Sequence, residues 1–313
     1  MQDRYIGLFA AVFTPMCGDG SLNLTQIQPM VDYLLRSQIS GLYVCGSTGE
    51  GPSLSSEERR AVAAAYVEAA AGKLPVVVQV GHNSLAEACA LASHAQAVGA
   101  DAISALPPSY FKFSSLDTLI DCLSEIASAA TNLPFFYYHI PSMTGMDFDM
   151  VEFLRRGCKR LPNLAGIKYS DTSIDGYQSC LGISPQRFSI LFGYDEMLLS
   201  ALAVGAAGAV GSTYNFAGTL YNRIIKEFKQ GDMNEAQRCQ ALSVDMIRIL
   251  SRYRGQPAFK AVMKLVGVDC GPTRLPLETL KPEEIKTMEA ELDEIGFFDW
   301  ALPQEQHNGS RSE

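Results

Sequence analysis

Short apolar runs and longer amphipathic stretches alternate along this chain about eight times. Runs rich in Val, Ile, Phe and Tyr occupy residues 8–13, 42–45, 76–80, 102–106, 135–138, 164–168, 188–192 and 208–210. Their length and composition predict strands. Between them, residues 25–38, 56–71, 85–98, 115–130, 149–156, 196–204 and 219–229 carry helical spacing. In the second of these, Ser56 is expected to cap the helix, Glu57 and Glu58 suit its first turn, and Gly72 follows its end. Strand then helix, repeated eightfold within 250 residues, predicts an α/β fold of the (β/α)8 TIM-barrel type. The rival, a doubly wound open sheet, usually places a glycine-rich dinucleotide turn after its first strand. The turn here, residues 14–20 (TPMCGDG), lacks that fingerprint. Beyond the eighth strand, stretches 233–253, 257–266 and 282–295 predict a C-terminal helical extension. The chain therefore divides into a barrel (1–230), an extension of the same domain (231–300) and a polar tail expected to be disordered (301–313).

Composition narrows the function. With 47% hydrophobic and 19% charged residues, the 313-residue chain can bury a large core. A net charge of −9 with no basic stripe argues against nucleic acid as the main partner. Residues 1–13 lack a basic region followed by a long apolar core, so no signal peptide is expected. The longest weakly polar run, 201–211, is too short to span a bilayer. The eight cysteines are scattered, with no Cys-x-x-Cys pair and no histidines at metal-ligand spacing. Free thiols in a reducing cytoplasm are expected, with no metal. The Asn308-Gly309-Ser310 sequon lies in the polar tail and reads as chance.

In barrels of this type the site lies at the C-terminal strand ends. There this chain places Gly46-Ser47-Thr48-Gly49-Glu50-Gly51, then Pro107-Pro108-Ser109-Tyr110, Tyr137-Tyr138-His139, Lys168, Gly193-Tyr194-Asp195-Glu196 and Gly211-Ser212-Thr213-Tyr214-Asn215. Lys168 ends an apolar run, where lost hydration disfavours charge and a neutral amine can attack a ketone. It could equally extend its ammonium out of a strand end. The glycine-rich 46–51 segment could be a plain turn or a cradle for a carboxylate, with Glu50 bracing it. Tyr137 and Tyr138 alternate across a strand, so one faces inward and can exchange protons with Lys168. A tyrosine near its ordinary pKa of about 10 needs help to act as a base. Asp195 and Glu196 suit a helix start or the hydroxyls of a sugar. His139 has no second ligand beside it and is given a structural role. His82 and Asn83 stay unassigned, and Asp171 and Thr172 could orient their loop or cap the element after it.

Together these motifs resemble the N-acetylneuraminate lyase and dihydrodipicolinate synthase family of lysine-dependent pyruvate aldolases, over about residues 5–298. The segments that carry the resemblance are 46–50 (GSTGE), 138–141 (YHIP), 166–168 (GIK) and 211–215 (GSTYN). It implies a barrel with C-terminal helices in a homotetramer, and a Schiff base between Lys168 and a 2-oxo acid with no metal or organic cofactor. It implies proton transfer by Tyr138, assisted by Tyr110 from a neighbouring subunit, and a pyruvate carboxylate held by Ser47 and Thr48. Three details favour the lyase branch, which cleaves N-acetylneuraminate to N-acetylmannosamine and pyruvate. Ser47 stands where the synthase branch has threonine. Met143 stands where that branch has a carboxylate-binding arginine, and a thioether cannot make a bidentate contact. Gly193, Asp195, Glu196 and Ser212, with Ser170 after the lysine, resemble a pocket for a polyhydroxyl tail. The alternatives are aldolases or dehydratases acting on 2-keto-3-deoxy sugar acids or 4-hydroxy-2-oxoglutarate, and a non-catalytic sialic acid or 2-oxo acid sensor.

Overall fold

The computed structural model describes residues 5–303. Eight parallel strands close into a barrel in chain order, and β8 pairs with β1. They are β1 (Gly7–Ala11), β2 (Gly41–Val44), β3 (Val76–Gln79), β4 (Ala102–Ala105), β5 (Phe135–His139), β6 (Leu164–Tyr169), β7 (Ser189–Phe192) and β8 (Gly208–Gly211). The connecting helices are α1 (Ile27–Arg36), α2 (Ser56–Ala70), α3 (Leu85–Ala97), α4 (Leu116–Ser128), α5 (Pro141–Thr144), α6 (Met150–Gly157), α7 (Ile174–Leu181), α8 (Leu198–Ala203) and α9 (Tyr214–Gln230). The extension consists of α10 (Met233–Arg252), α11 (Gln256–Leu265), α12 (Pro282–Glu294) and the short α13 (Phe297–Trp300). This is the TIM barrel with C-terminal helices that the alternation predicts.

Some boundaries differ from the sequence reading. The cap of α2 is Ser55, not Ser56. Its hydroxyl accepts from the Glu58 amide at 3.2 Å, and the Glu58 carboxylate accepts from the Ser55 amide at 2.9 Å. This reciprocal capping box satisfies two amide donors at once. Helix α7 escapes the periodicity because it has eight residues and carries Gly176 in its interior. Its cap is Ser173, which accepts from the Gly176 amide. Helix α9 begins at Tyr214, five positions earlier than 219. There the Asn215 side-chain Nδ2 donates to the Ala11 and Ser212 carbonyls, and a non-helical Ala217 (φ −126°, ψ 23°) breaks the period. Ala301, the first residue of the expected tail, is buried in the core; residues 304–313 lie outside the described residues.

Alternation along the strands sorts the core into two parts. Phe9, Tyr43, Val77, Phe136, Tyr138, Leu191 and Val210 fill the barrel interior. Leu8, Leu42, Val44, Ile103, Tyr137 and Ile167 pack between barrel and helices. Tyr138 is therefore the inward tyrosine. The register of β5 on β6 sets it directly beside Lys168.

Candidate active site

Lys168 points into the barrel and is only 4% exposed. Its Nζ sits 3.9 Å from the ring centre of Tyr138 and 4.0 Å from that of Tyr43. Both ring faces attract an ammonium, and together they hold the amine at the top of the barrel core. The two rings meet edge to face at 5.7 Å, and Tyr43 donates to Ser104 Oγ at 3.0 Å. Burial, followed by the neighbouring Tyr138, raises the Tyr43 pKa well above its ordinary value, so Tyr43 stays a neutral donor.

The 46–51 loop is held from outside. Its turn is closed by bonds from the Glu50 amide to the Ser47 carbonyl and from the Gly51 amide to the Gly46 carbonyl, each 3.0 Å. Glu50 adopts a left-handed conformation (φ 54°), which is costly for a non-glycine residue. A Cβ at Gly51 would overlap the Cys45 carbonyl oxygen, so the turn requires glycine there. Gln256 Nε2, at the start of α11, donates to the carbonyls of Ser47 (2.9 Å) and Thr48 (2.6 Å). Glu50 Oε1 pairs with Lys260 Nζ at 2.6 Å, both side chains fully buried. Glu50 Oε2 accepts from the Arg274 amide at 2.8 Å. Burial pushes the Lys260 ammonium below its ordinary pKa, and Glu50 opposes that shift. Arg274 forks onto Glu58 with two 2.8 Å bonds, and that contact holds the Glu58 carboxyl down to about 2. With the loop carbonyls occupied outside, the hydroxyls face inward. Ser47 Oγ lies 3.5 Å from Tyr138 OH, and Thr48 Oγ1 lies 2.6 Å from Ser212 Oγ.

The far side of the cavity mouth is built by β6, β7 and β8. The Ser170 amide donates to the His139 carbonyl and the Gly193 amide to the Tyr169 carbonyl, each at 2.8 Å. A Cβ at Gly193 would overlap Ser170 Oγ, so glycine lets the two segments close up. Asp195 is buried, and its Oδ2 accepts from the Thr213 amide (2.8 Å) and hydroxyl (2.6 Å). Because the Thr213 proton goes to Asp195, Tyr221 donates to Thr213 at 2.7 Å and Ser243 to Tyr221 at 2.8 Å. Burial pushes the Asp195 carboxyl up to about 6; the Thr213 bonds and the Lys168 charge oppose it. Glu196 is half-buried and borders a groove of about 410 Å³ with Arg248 and Arg252.

Lys168, Tyr138, Ser47, Thr48 and Ser212 thus converge, with Ser170, Gly193 and Asp195 beside them. Tyr110 does not join them within one chain. It is 77% exposed, its ring edge-to-face with Phe111. Asn83 accepts from the Ser109 and Tyr110 amides, and the Lys112 ammonium ties this loop to the Thr144 carbonyl on α5. Asn83 therefore supports the Tyr110 loop, and His82 Nδ1 accepts from the Ser84 amide. Asp171 accepts from the Thr172 amide. His139 has company that its sequence neighbours do not reveal, since Asp147 and Asp171 each approach its Nε2 at 3.9 Å. Sequence reasoning also missed Tyr43, Ser104, Gln256, Lys260 and Arg274. Only Tyr43 had a signal, its inward parity on β2. A larger cavity, about 1260 Å³, lies elsewhere, lined by α1, α9 and the segment from Asp299 to Pro303. It holds none of these side chains, and we place the chemistry at Lys168.

Residues 4–295 match the dihydrodipicolinate synthetase family. The chain is 43% identical over 300 residues to N-acetylneuraminate lyase A of Xenopus laevis, covering 93% of this chain and 98% of that protein. Among solved structures, it superposes on Proteus mirabilis N-acetylneuraminate lyase with a TM-score of 0.91, at 38% identity over 93% of this chain and 99% of the other. A Ruminococcus gnavus sialic acid aldolase, solved as a catalytic lysine mutant, gives a TM-score of 0.90 at 27% identity, covering 96% and 98% of the two chains.

Proposed function

The chain belongs to the dihydrodipicolinate synthetase family, and from that premise we propose that it is a class I aldolase cleaving N-acetylneuraminate into N-acetylmannosamine and pyruvate. The observation that carries this reading is the buried Lys168 amine resting on the Tyr138 ring beside an inward-facing Ser47–Thr48 loop. Supporting it are relatives named N-acetylneuraminate lyase and a structural neighbour whose catalytic group is a lysine.

Lys168 Nζ attacks C2 of the open-chain sugar acid, and water leaves to form a protonated imine. The substrate carboxylate lies on the Ser47 and Thr48 hydroxyls. Tyr138 takes the C4 hydroxyl proton, relayed through that carboxylate. The C3–C4 bond breaks, its electrons move into the imine, and C4 becomes the aldehyde of N-acetylmannosamine. The enamine is protonated at C3 and hydrolysed, which releases pyruvate and restores the lysine. The imine is the electron sink, so this sequence needs no metal or organic cofactor. Tyr43, held neutral, lines the floor beneath the amine. Ser170, Gly193, Asp195, Glu196 and Ser212 face the polyhydroxyl end of the substrate. Tyr110, on its exposed loop, completes the proton path from a neighbouring subunit of a homotetramer. The setting is cytoplasmic, consistent with eight free thiols; no helix among the described residues is long and apolar enough to cross a membrane.

The test is pyruvate release from N-acetylneuraminate, followed through coupled lactate dehydrogenase. Release by the wild type and none by Lys168→Ala supports the reading. No release by the wild type refutes the lyase assignment.

A further inference from the structure

His139 points away from the barrel interior, opposite in parity to Tyr138. It contacts the outward rings of Tyr137 and Tyr169. It is 1% exposed, yet its Nδ1 has no hydrogen-bond partner. Its Nε2 faces Asp147 Oδ1 and Asp171 Oδ2, each at 3.9 Å, too far for a hydrogen bond. The three ligand atoms lie within 4.8 Å of one another. Asp171 is aimed, because its other oxygen accepts from the Thr172 amide at 2.6 Å. Among the described residues no lysine or arginine forms an ion pair with either carboxylate. Two carboxylates thus converge on a buried imidazole with no lysine or arginine between them, a donor set that a cation could bridge.

We propose that His139, Asp147 and Asp171 bind one divalent cation through an imidazole nitrogen and two carboxylate oxygens, with the remaining positions open to water. Mixed nitrogen and oxygen donors of this kind suit Mn²⁺, Zn²⁺ and their first-row neighbours. Donors bonded tetrahedrally to one ion at about 2.1 Å stand roughly 3.4 Å apart. The imidazole–carboxylate gaps must therefore close by about half an ångström and the carboxylate–carboxylate gap by up to about 1.4 Å, and Asp147, 75% exposed after α5, can supply that movement. The bound cation ties the ends of β5 and β6 to the segment after α5, on the outer side of the wall that carries Tyr138 and Lys168. Its role is to fix these segments, and it takes no part in the Schiff-base steps.

Mn²⁺ is the probe, because thiols compete poorly for it and the eight cysteines then do not confuse the count. The purified full chain is titrated with Mn²⁺ while the free ion is followed by electron paramagnetic resonance. Wild type is expected to bind one Mn²⁺ per chain and to melt at a higher temperature when saturated. Asp147→Asn, at an exposed position, should fold as wild type, bind at least tenfold more weakly and lose the melting shift; His139→Gln should do the same. No binding at millimolar Mn²⁺, or unchanged affinity in Asp147→Asn and Asp171→Asn, would overturn the proposal. Turnover is not the readout, so the result is separable from the fate of the lyase reading.

Discussion

Replacing Lys260 with methionine leaves the Glu50 carboxylate buried with its cation removed. The pair is 2.6 Å long, with side-chain exposures of 2% and 0%. Removing one partner of a buried ion pair costs about 3–5 kcal/mol, whereas replacing both with neutral groups is often close to neutral. Glu50 keeps its bond from the Arg274 amide, which places the loss near the lower figure. The Pro272 carbonyl also loses its 2.8 Å donor, which adds about 1 kcal/mol. The total is about 4 kcal/mol, and at about 2–4 °C per kcal/mol for a chain somewhat above 150–250 residues, Lys260→Met should melt roughly 8–16 °C below wild type. Glu50→Gln combined with Lys260→Met keeps an acceptor for the Arg274 amide and removes the stranded charge. It should recover all but about 1–2 kcal/mol. The assay is thermal unfolding of wild type, both single variants and the double variant, with pyruvate release at 25 °C alongside. Because Ser47 and Thr48 share the loop with Glu50, KM should rise severalfold in Lys260→Met while kcat falls less. Melting of Lys260→Met within 2 °C of wild type, or a double variant less stable than Lys260→Met, would refute the argument.

Three further outcomes are expected. Tyr138→Phe should still form the Schiff base but cleave at least a hundredfold more slowly; normal turnover would remove Tyr138 from the proton path. Gly193→Ala drives a methyl into Ser170 Oγ, so kcat/KM should fall at least tenfold with a melting loss of only a few degrees, and unchanged kcat/KM would show that the two segments need not close. Asp195 has a folded pKa of about 6 against 3.8 in the unfolded chain, so the folded state keeps a proton that the unfolded state releases. Its stabilising share is present below about pH 4 and is lost as pH rises through about 6, a change of about 3 kcal/mol. Asp195→Asn should therefore gain melting temperature relative to wild type between pH 4 and 7; a pH-independent difference would contradict the shift.

The barrel was legible because each strand is a short apolar run followed by an amphipathic helix, and those local patterns match the global fold. Lys168, Ser47 and Thr48 were legible because chemically capable residues at strand ends are conspicuous against apolar strands. The residue pattern alone left Tyr137 and Tyr138 open, because parity on β5 is fixed only by its pairing with β6; it was the family resemblance that singled out Tyr138, the tyrosine that faces inward. Gln256 and Lys260 were invisible for a different reason. Gln256 meets Ser47 across 209 positions of sequence, and no periodicity encodes which helix of an extension will dock on which loop. The Asp147–His139–Asp171 grouping was hidden in the same way, since the segment after α5 and the loop after β6 bring it together.

The most direct test of the central claim is to incubate the protein with pyruvate and borohydride and map the adduct by peptide mass spectrometry. Reduction should fix one pyruvate per chain on the peptide containing Lys168, with none trapped in Lys168→Ala. An unmodified Lys168 peptide, or an adduct that persists in Lys168→Ala, would contradict the account.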